Sequence, residues 1–208
     1  DSAGNAGSIG AGDVQWMTAA SGVVHEELHG ADFTKRGGAF EMIQLWVNLP
    51  KAHKMSAPRY QEMHKDQIPV VDLPNGAGTL RVIAGEAFGS KGPAETVTPL
   101  NLWDLSLSKG AKTDLELPDS STTLLLVLSG TIGIGDGDMA GPGELARFSR
   151  DGTHVTLEAL EDARAVLLNG TPIDEPVVAH GPFVMNTREE ISEAISDFQN
   201  GKMGRLAG

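Results

Sequence analysis

The chain has 208 residues, 16 basic and 28 acidic residues, a net charge of −12 and no cysteine. This length suffices for one large or two small domains. The absence of cysteine excludes disulfides, thiolate metal ligands and cysteine nucleophiles, and it suits the reducing cytoplasm where we expect the protein. The acidic excess repels nucleic-acid phosphates, so direct nucleic-acid binding is not expected. No run approaches the roughly 20 apolar residues that span a bilayer, so we expect no membrane partner.

The first predicted elements are two short strands between residues 12 and 27, on either side of a turn at Ala20-Ser21-Gly22. In an extended strand, residues i and i+2 point to the same face, so His25 and Glu27 are predicted to project together. An imidazole beside a carboxylate can supply half of the ligands of a divalent metal such as iron. The spacing alone leaves open that His25 is a hydrogen-bonded or solvated strand residue without a ligand role.

The next predicted strand, Phe40 to Leu49, carries apolar side chains on both of its alternating faces and is therefore predicted to be buried on both sides. The polar residues 51–67 are predicted to run over the surface as a connection. Two further strands follow at residues 68–73 and 79–85, and Asn75-Gly76 between them is a strong hairpin signal.

The rest of the chain continues the pattern of short strands separated by turns. Asp136-Gly137 is a second hairpin signal. Such a succession of short strands predicts an all-β sandwich or barrel. The strands in this part are predicted near residues 100–107, 122–128, 143–149, 154–158 and 163–168.

One helix is predicted, close to the end of the chain. Thr187 with Glu190 has the spacing of a capping box. Gly201 stands where a C-terminal cap belongs. Apolar residues at helical spacing form one stripe between these two signals: Ile191, Ala194, Ile195 and Phe198.

Several segments resemble the pirin family in order and spacing. They are the stretch at residues 12–27, Gln44-Leu-Trp-Val-Asn-Leu-Pro50, Ala57-Pro-Arg-Tyr-Gln61, Arg81-Val-Ile-Ala-Gly-Glu86 and Glu175-Pro-Val-Val-Ala-His-Gly-Pro-Phe-Val-Met-Asn-Thr187. Pirins are two-domain cupins, and some members act as quercetin dioxygenases. The resemblance implies an all-β fold of two cupin-type jelly-roll barrels with a short C-terminal helix that folds back toward the other domain.

We expect residues 1–60 to form a partial N-terminal barrel and residues 61–208 to form the C-terminal barrel with the helix. Pirins carry a His-x-His pair in a strand upstream of the stretch that corresponds to Asp1-Ser-Ala-Gly-Asn5. No His-x-His pair occurs in this chain. The first strands of the N-terminal barrel and two of the four metal ligands are therefore expected to be absent from these residues.

The resemblance implies that His25 and Glu27 are metal ligands. Glu27 would also be the catalytic residue, because it could accept the proton of a substrate hydroxyl. The expected cofactor is a divalent transition metal, with iron as the first candidate, and no other cofactor-binding residue is predicted.

Two further histidines are weaker candidates for ligands. His29 lies four residues after His25 in a loop flanked by glycine, and it is either a replacement ligand or a solvated loop residue. His154 is the counterpart of His25 in the second barrel, but Thr156 stands at i+2 where a carboxylate would be needed. A second metal site is therefore not expected.

Two classes of function fit this chain. The first is a metal-binding oxidoreductase of the quercetin 2,3-dioxygenase type, whose partner is a small aromatic substrate such as a flavonol. The alternative is a non-catalytic cupin that binds or regulates a protein partner without a bound metal. A complete four-ligand set favours the enzyme, and this chain supplies half of one.

Overall fold

The computed structural model describes residues 1–135 and 137–206. Its chain divides into two compact units. The first unit joins Asp1–Glu62 to the described residues from Ile173 onward, and the second is Met63–Pro172. The sequence-based division assigned the C-terminal residues to the second barrel, whereas here they group with the N-terminal residues.

Strands dominate the described residues, and one helix is longer than seven residues. The elements in chain order are β1 (Val14–Thr18), α1 (Ala31–Arg36), α2 (Lys51–Lys54), β2 (Arg59–Met63), β3 (Val70–Asp72), β4 (Gly78–Ala84), β5 (Glu86–Ala87), β6 (Ser90–Lys91), β7 (Leu100–Leu107), β8 (Lys112–Glu116), β9 (Thr122–Ser129), β10 (Ile132–Ile134), β11 (Asp138–Ala140), β12 (Leu145–Arg147), β13 (His154–Ala159), β14 (Ala163–Gly170), β15 (Val178–His180), β16 (Phe183–Met185) and α3 (Arg188–Gln199). Short 3₁₀ turns lie at Lys65–Gln67 and Pro74–Gly76.

The second unit is built from two antiparallel sheets. One has six strands in the order β12-β9-β14-β7-β4-β3, and the other has four in the order β11-β10-β13-β8. One hydrophobic cluster joins their inner faces, with Leu80, Leu105 and Leu125 from the larger sheet and Leu115 and Leu157 from the smaller. Each of these five leucines is fully buried. The sheets therefore share a core, as expected for a double-sheeted jelly roll.

Alternation of buried and exposed residues explains why the sequence predicted this unit well. Strand β13, which was predicted, alternates buried positions with exposed or partly exposed ones along its whole length. The strands predicted after residue 68 are all confirmed, and the hairpin signal at Asn75-Gly76 is confirmed by the antiparallel pairing of β3 with β4. Asp136 lies outside the described residues, but β10 and β11 on either side of it pair antiparallel as predicted.

The first unit contains less regular structure. Its strands form two small sheets, β1-β2 and β15-β16. Helix α3 begins after Thr187, whose side chain accepts a hydrogen bond from the Glu190 amide, while the Glu190 side chain accepts from the Thr187 amide. The predicted capping box is therefore confirmed. None of the described helices is long and apolar enough to cross a membrane.

The prediction of a doubly buried strand at Phe40–Leu49 is wrong. Residues 37–50 contain neither helix nor strand. Phe40 and Trp46 are 60% and 66% exposed, and Met42 and Val47 are about half exposed. An apolar run becomes a buried strand only where neighbouring strands accept its backbone hydrogen bonds and cover both faces. None of the described strands pairs with this segment.

The prediction of a strand carrying His25 and Glu27 is also wrong. Strand β1 precedes the turn as expected, but residues 22–30 have no regular structure. The same reason applies, because a second strand here would need a ladder partner among the described residues. The all-β class itself is confirmed, and it rests mainly on the second unit.

Candidate functional site

His25 and Glu27 lie in the irregular segment that follows β1, and both are exposed. The alternating geometry that would turn their side chains to one face is absent, because residues 22–30 are not a strand. The assignment of both residues as metal ligands, and of Glu27 as the catalytic residue, therefore stays a prediction.

The backbone just before His25 is held by contacts from both ends of the chain. The Ser2 amide donates to the Val24 carbonyl oxygen over 2.7 Å, and the Val24 amide donates to Ser2 Oγ over 2.9 Å. Ser2 Oγ in turn donates to the Met203 carbonyl oxygen over 2.6 Å. The backbone immediately before His25 is therefore held by hydrogen bonds, although residues 22–30 have no regular secondary structure.

Glu27 has a polar partner from a distant part of the sequence. The side-chain amide of Gln44 donates to both carboxylate oxygens of Glu27, over 3.1 Å to Oε1 and 3.2 Å to Oε2. This contact links the segment after β1 to the exposed apolar segment. Sequence reasoning missed it, although Gln44 is one of the few polar residues within the apolar run from Phe40 to Leu49.

His29 packs against aromatic rings. Its ring stacks on Phe33 with centroids 5.8 Å apart and meets Phe40 edge-on at 4.9 Å. The sequence left open whether His29 replaces a missing ligand or is a solvated loop residue. The aromatic contacts give the imidazole a packing role, and its side chain is still exposed.

The donor chemistry of His25 and Glu27 suits a divalent metal, since one neutral nitrogen and one carboxylate are common ligands of such ions. The pair does not complete a centre by itself. Within residues 1–135 and 137–206, no group of three or more His, Asp or Glu side chains is placed to hold a metal ion. The two residues therefore fit part of a metal centre.

A buried lysine connects the exposed apolar segment to the C-terminal hairpin. Lys54, the last residue of α2, is 5% exposed. Its ammonium donates to Asn48 Oδ1 over 2.6 Å and to the Val184 carbonyl oxygen of β16 over 3.0 Å. Burial lowers the pKa of Lys54, while the carboxylates of Glu175 and Glu190 act in the opposite direction.

Two carboxylates complete this polar cluster. Glu175 Oε2 accepts from the Lys51 amide over 2.7 Å at the start of α2, and from Asn186 Nδ2 over 3.1 Å. Glu190 Oε2 accepts from the backbone amides of Asn186 and Thr187, and its other oxygen lies 3.3 Å from Lys51 Nζ. The Asn186 amide contributes most to lowering the pKa of Glu190, and Lys51 adds to it.

His154 in the second unit borders a small pocket. The pocket has a volume of about 80 Å³, and its walls include Leu117, Ser121, Phe148 and Arg150. Sites for drug-sized ligands usually measure about 300–1,000 Å³, so a flavonol would not fit here. His154 lies on β13 opposite Glu116 of β8, and the two are cross-strand partners.

Comparison with known proteins places the chain in a family. The Pirin family matches residues 1–47, and the pirin C-terminal cupin domain matches residues 102–204. Human pirin is 40% identical over 210 residues, covering 98% of this chain and 69% of the human protein. The chain belongs to the pirin family.

Two further similar proteins carry names that state an activity. A Pseudomonas aeruginosa protein named "Putative quercetin 2,3-dioxygenase PA2418" is 49% identical over 205 residues, covering 99% of this chain and 71% of that protein. The crystal structure of a quercetin 2,3-dioxygenase from Acinetobacter baumannii is similar with a TM-score of 0.95 and 47% identity, covering all of this chain and 72% of that one. The pirin assignment and the all-β cupin fold are thereby both established.

Proposed function

We propose that this pirin is a metal-binding oxidoreductase of the quercetin 2,3-dioxygenase type, acting on a small flavonol-like substrate. The observation that carries the proposal is the similarity over the whole chain to the Acinetobacter baumannii quercetin 2,3-dioxygenase, with a TM-score of 0.95. At 47% identity, this likeness extends beyond the fold to nearly half of the residues.

In this proposal His25 and Glu27 hold a divalent transition metal, with iron as the first candidate. The metal, when bound, would polarise a substrate oxygen and mediate electron transfer to dioxygen. The imidazole of His25 would contribute a neutral donor and the carboxylate of Glu27 a negative one. Water, the substrate or another chain would supply the remaining ligands.

Glu27 has a second task in the proposal. Its carboxylate would accept the proton of the substrate hydroxyl, which makes the substrate oxygen the better electron donor. Because the side chain is exposed, a flat aromatic substrate could reach it without a conformational change. The apolar side chains from Phe40 to Val47 would provide contact area for such a substrate.

A second function is favoured by one observation. Large apolar side chains between Phe40 and Val47 lie exposed near Glu27. Exposed apolar patches mark protein-binding surfaces in many soluble proteins. The alternative is therefore a non-catalytic cupin that regulates a protein partner without a bound metal.

Elemental mass spectrometry of the purified chain and of its His25→Ala and Glu27→Gln variants tests the choice. The matched control is His53→Ala, which removes another exposed histidine. Under the proposal, the chain and the control retain up to about one equivalent of transition metal, as a single His/carboxylate site would, and both site variants lose it. Oxygen uptake with quercetin would then depend on that metal. Absence of metal from all four proteins after reconstitution would reject the oxidoreductase and favour the partner-binding alternative.

A further inference from the structure

The side chain of Gln44 contacts Glu27, although neither a helix nor a strand pairing brings the two residues together. Its side-chain nitrogen lies 3.1 Å from one oxygen of Glu27 and 3.2 Å from the other. The two residues are 17 positions apart, and both lie in segments without helix or strand. No backbone ladder therefore brings them together, and the side-chain hydrogen bonds themselves define the contact.

A donor at nearly equal distance from both oxygens fixes the rotation of the carboxylate. The terminal torsion of glutamate is broad in the absence of such a contact. A carboxylate has about four lone-pair sites, so the two bonds from Gln44 leave acceptor capacity for a metal ion and for a proton. Gln44 thus orients the group without occupying it fully.

The chemistry of the donor also matters. A glutamine amide is neutral, so it adds no positive charge beside the Glu27 carboxylate. A lysine or arginine in the same place would offset that charge and would compete with a metal ion for the carboxylate. An apolar residue would leave the carboxylate free to rotate. Of these possibilities, only an amide both orients the Glu27 carboxylate and adds no charge beside it.

We propose that Gln44 is a positioning residue for Glu27, which it holds in the orientation that binds a divalent metal beside His25. This inference rests on the proposed function, since it assigns Glu27 to a metal site. Hydrogen-bonded partners of metal ligands commonly change metal affinity by about 10- to 100-fold when they are removed.

The test compares Co²⁺ binding by calorimetry and by absorption spectrum in the unaltered chain and in Gln44→Met, Gln44→Asn and Glu27→Gln. Methionine matches the length of glutamine but has no donor. Asparagine keeps the amide with a shorter reach. Gln199→Met is the matched control, because it removes an exposed amide at the end of α3. Thermal unfolding of each metal-free protein reports any loss of structure.

We expect Gln44→Met to bind Co²⁺ about 10- to 100-fold more weakly with an altered spectrum, Gln44→Asn to lie between it and the unaltered chain, and Gln199→Met to be unchanged. Unaltered affinity in Gln44→Met together with lost binding in Glu27→Gln would overturn the role of Gln44 and leave the proposed function standing. Failure of the unaltered chain to bind Co²⁺ would overturn both. Loss of binding that merely follows lower thermal stability in both Gln44 variants would reduce Gln44 to a structural contact.

Discussion

Lys54 is buried, although lysine is among the residues least often found inside proteins. Its ammonium is satisfied by an amide oxygen of Asn48 and a backbone oxygen of Val184. Burial lowers its pKa because the charged form is the one that loses hydration. The carboxylates of Glu175 and Glu190 offset part of this effect, so the cluster can keep a charged lysine inside the protein.

Replacing Lys54 with methionine should destabilise the first unit. The variant leaves the oxygens of Asn48 and Val184, both in partly buried residues, without their donor. Loss of such a partner costs up to about 1–3 kcal/mol. The free energy of unfolding from urea titrations measures the effect. Lys35→Met, which changes an exposed lysine of α1, is the control and should stay within about 0.5 kcal/mol of the unaltered chain. Equal stability of both variants would mean that Lys54 does not join these segments.

At the scale of elements, helix α3 is stabilised at its start by Glu190. The folded protein holds the pKa of this carboxyl below its ordinary value, chiefly through the hydrogen bond from the Asn186 amide. Folding therefore favours the ionised form. The stabilisation is fully present above the ordinary pKa of glutamate and is lost as the pH falls through the lower pKa of the folded state.

The variant Glu190→Gln should show this pH dependence directly. Its stability deficit, measured as the shift in the urea midpoint, should be largest above about pH 6 and should shrink toward about pH 3, because glutamate ordinarily titrates near pH 4.3. Glu189→Gln is the control, since that exposed neighbour occupies the same first turn of α3. A deficit that stayed constant with pH would show that the carboxylate charge does not contribute.

Apolar runs in the sequence predicted strands correctly in the second unit but not at Phe40–Leu49 in the first. Strand β9 and the run from Phe40 to Leu49 are similarly apolar, but β9 pairs with both β12 and β14. The run from Phe40 to Leu49 pairs with none of the described strands. Apolar alternation shows that a segment can be a buried strand, whereas hydrogen-bonding neighbours decide whether it becomes one.

The candidate site was predictable to the same limited degree. The spacing of His25 and Glu27 and the resemblance to pirins predict that both are metal ligands, and this assignment stays a prediction. Gln44 and Lys54 could not be assigned roles, since their partners are distant in sequence or are backbone oxygens. No periodic pattern encodes such contacts. The best sequence signal for such a contact is a polar residue inside an apolar run, such as Gln44 between Phe40 and Leu49.

For the whole molecule, two of the three tryptophans differ strongly in their exposure to solvent. Trp46 of the first unit is 66% exposed, whereas Trp103 of the second unit is 2% exposed. Acrylamide should therefore quench Trp46 strongly and Trp103 weakly. We expect Trp46→Phe to remove most of the readily quenched fluorescence and Trp103→Phe to leave it in place. Weak quenching of Trp46 would show that the apolar segment is covered in solution.

The first unit is discontinuous, because Met63–Pro172 separates its two parts along the chain. A ribosome adds about 5–20 residues per second, so Glu62 is synthesised roughly 6–25 s before Glu175 and Asn186. Throughout that interval Lys54 lacks its partners from the C-terminal part of the chain, and the second unit can complete its sheets first. Residues 1–62 are thus synthesised first. They can complete their own unit only after the residues from Ile173 onward have also been made.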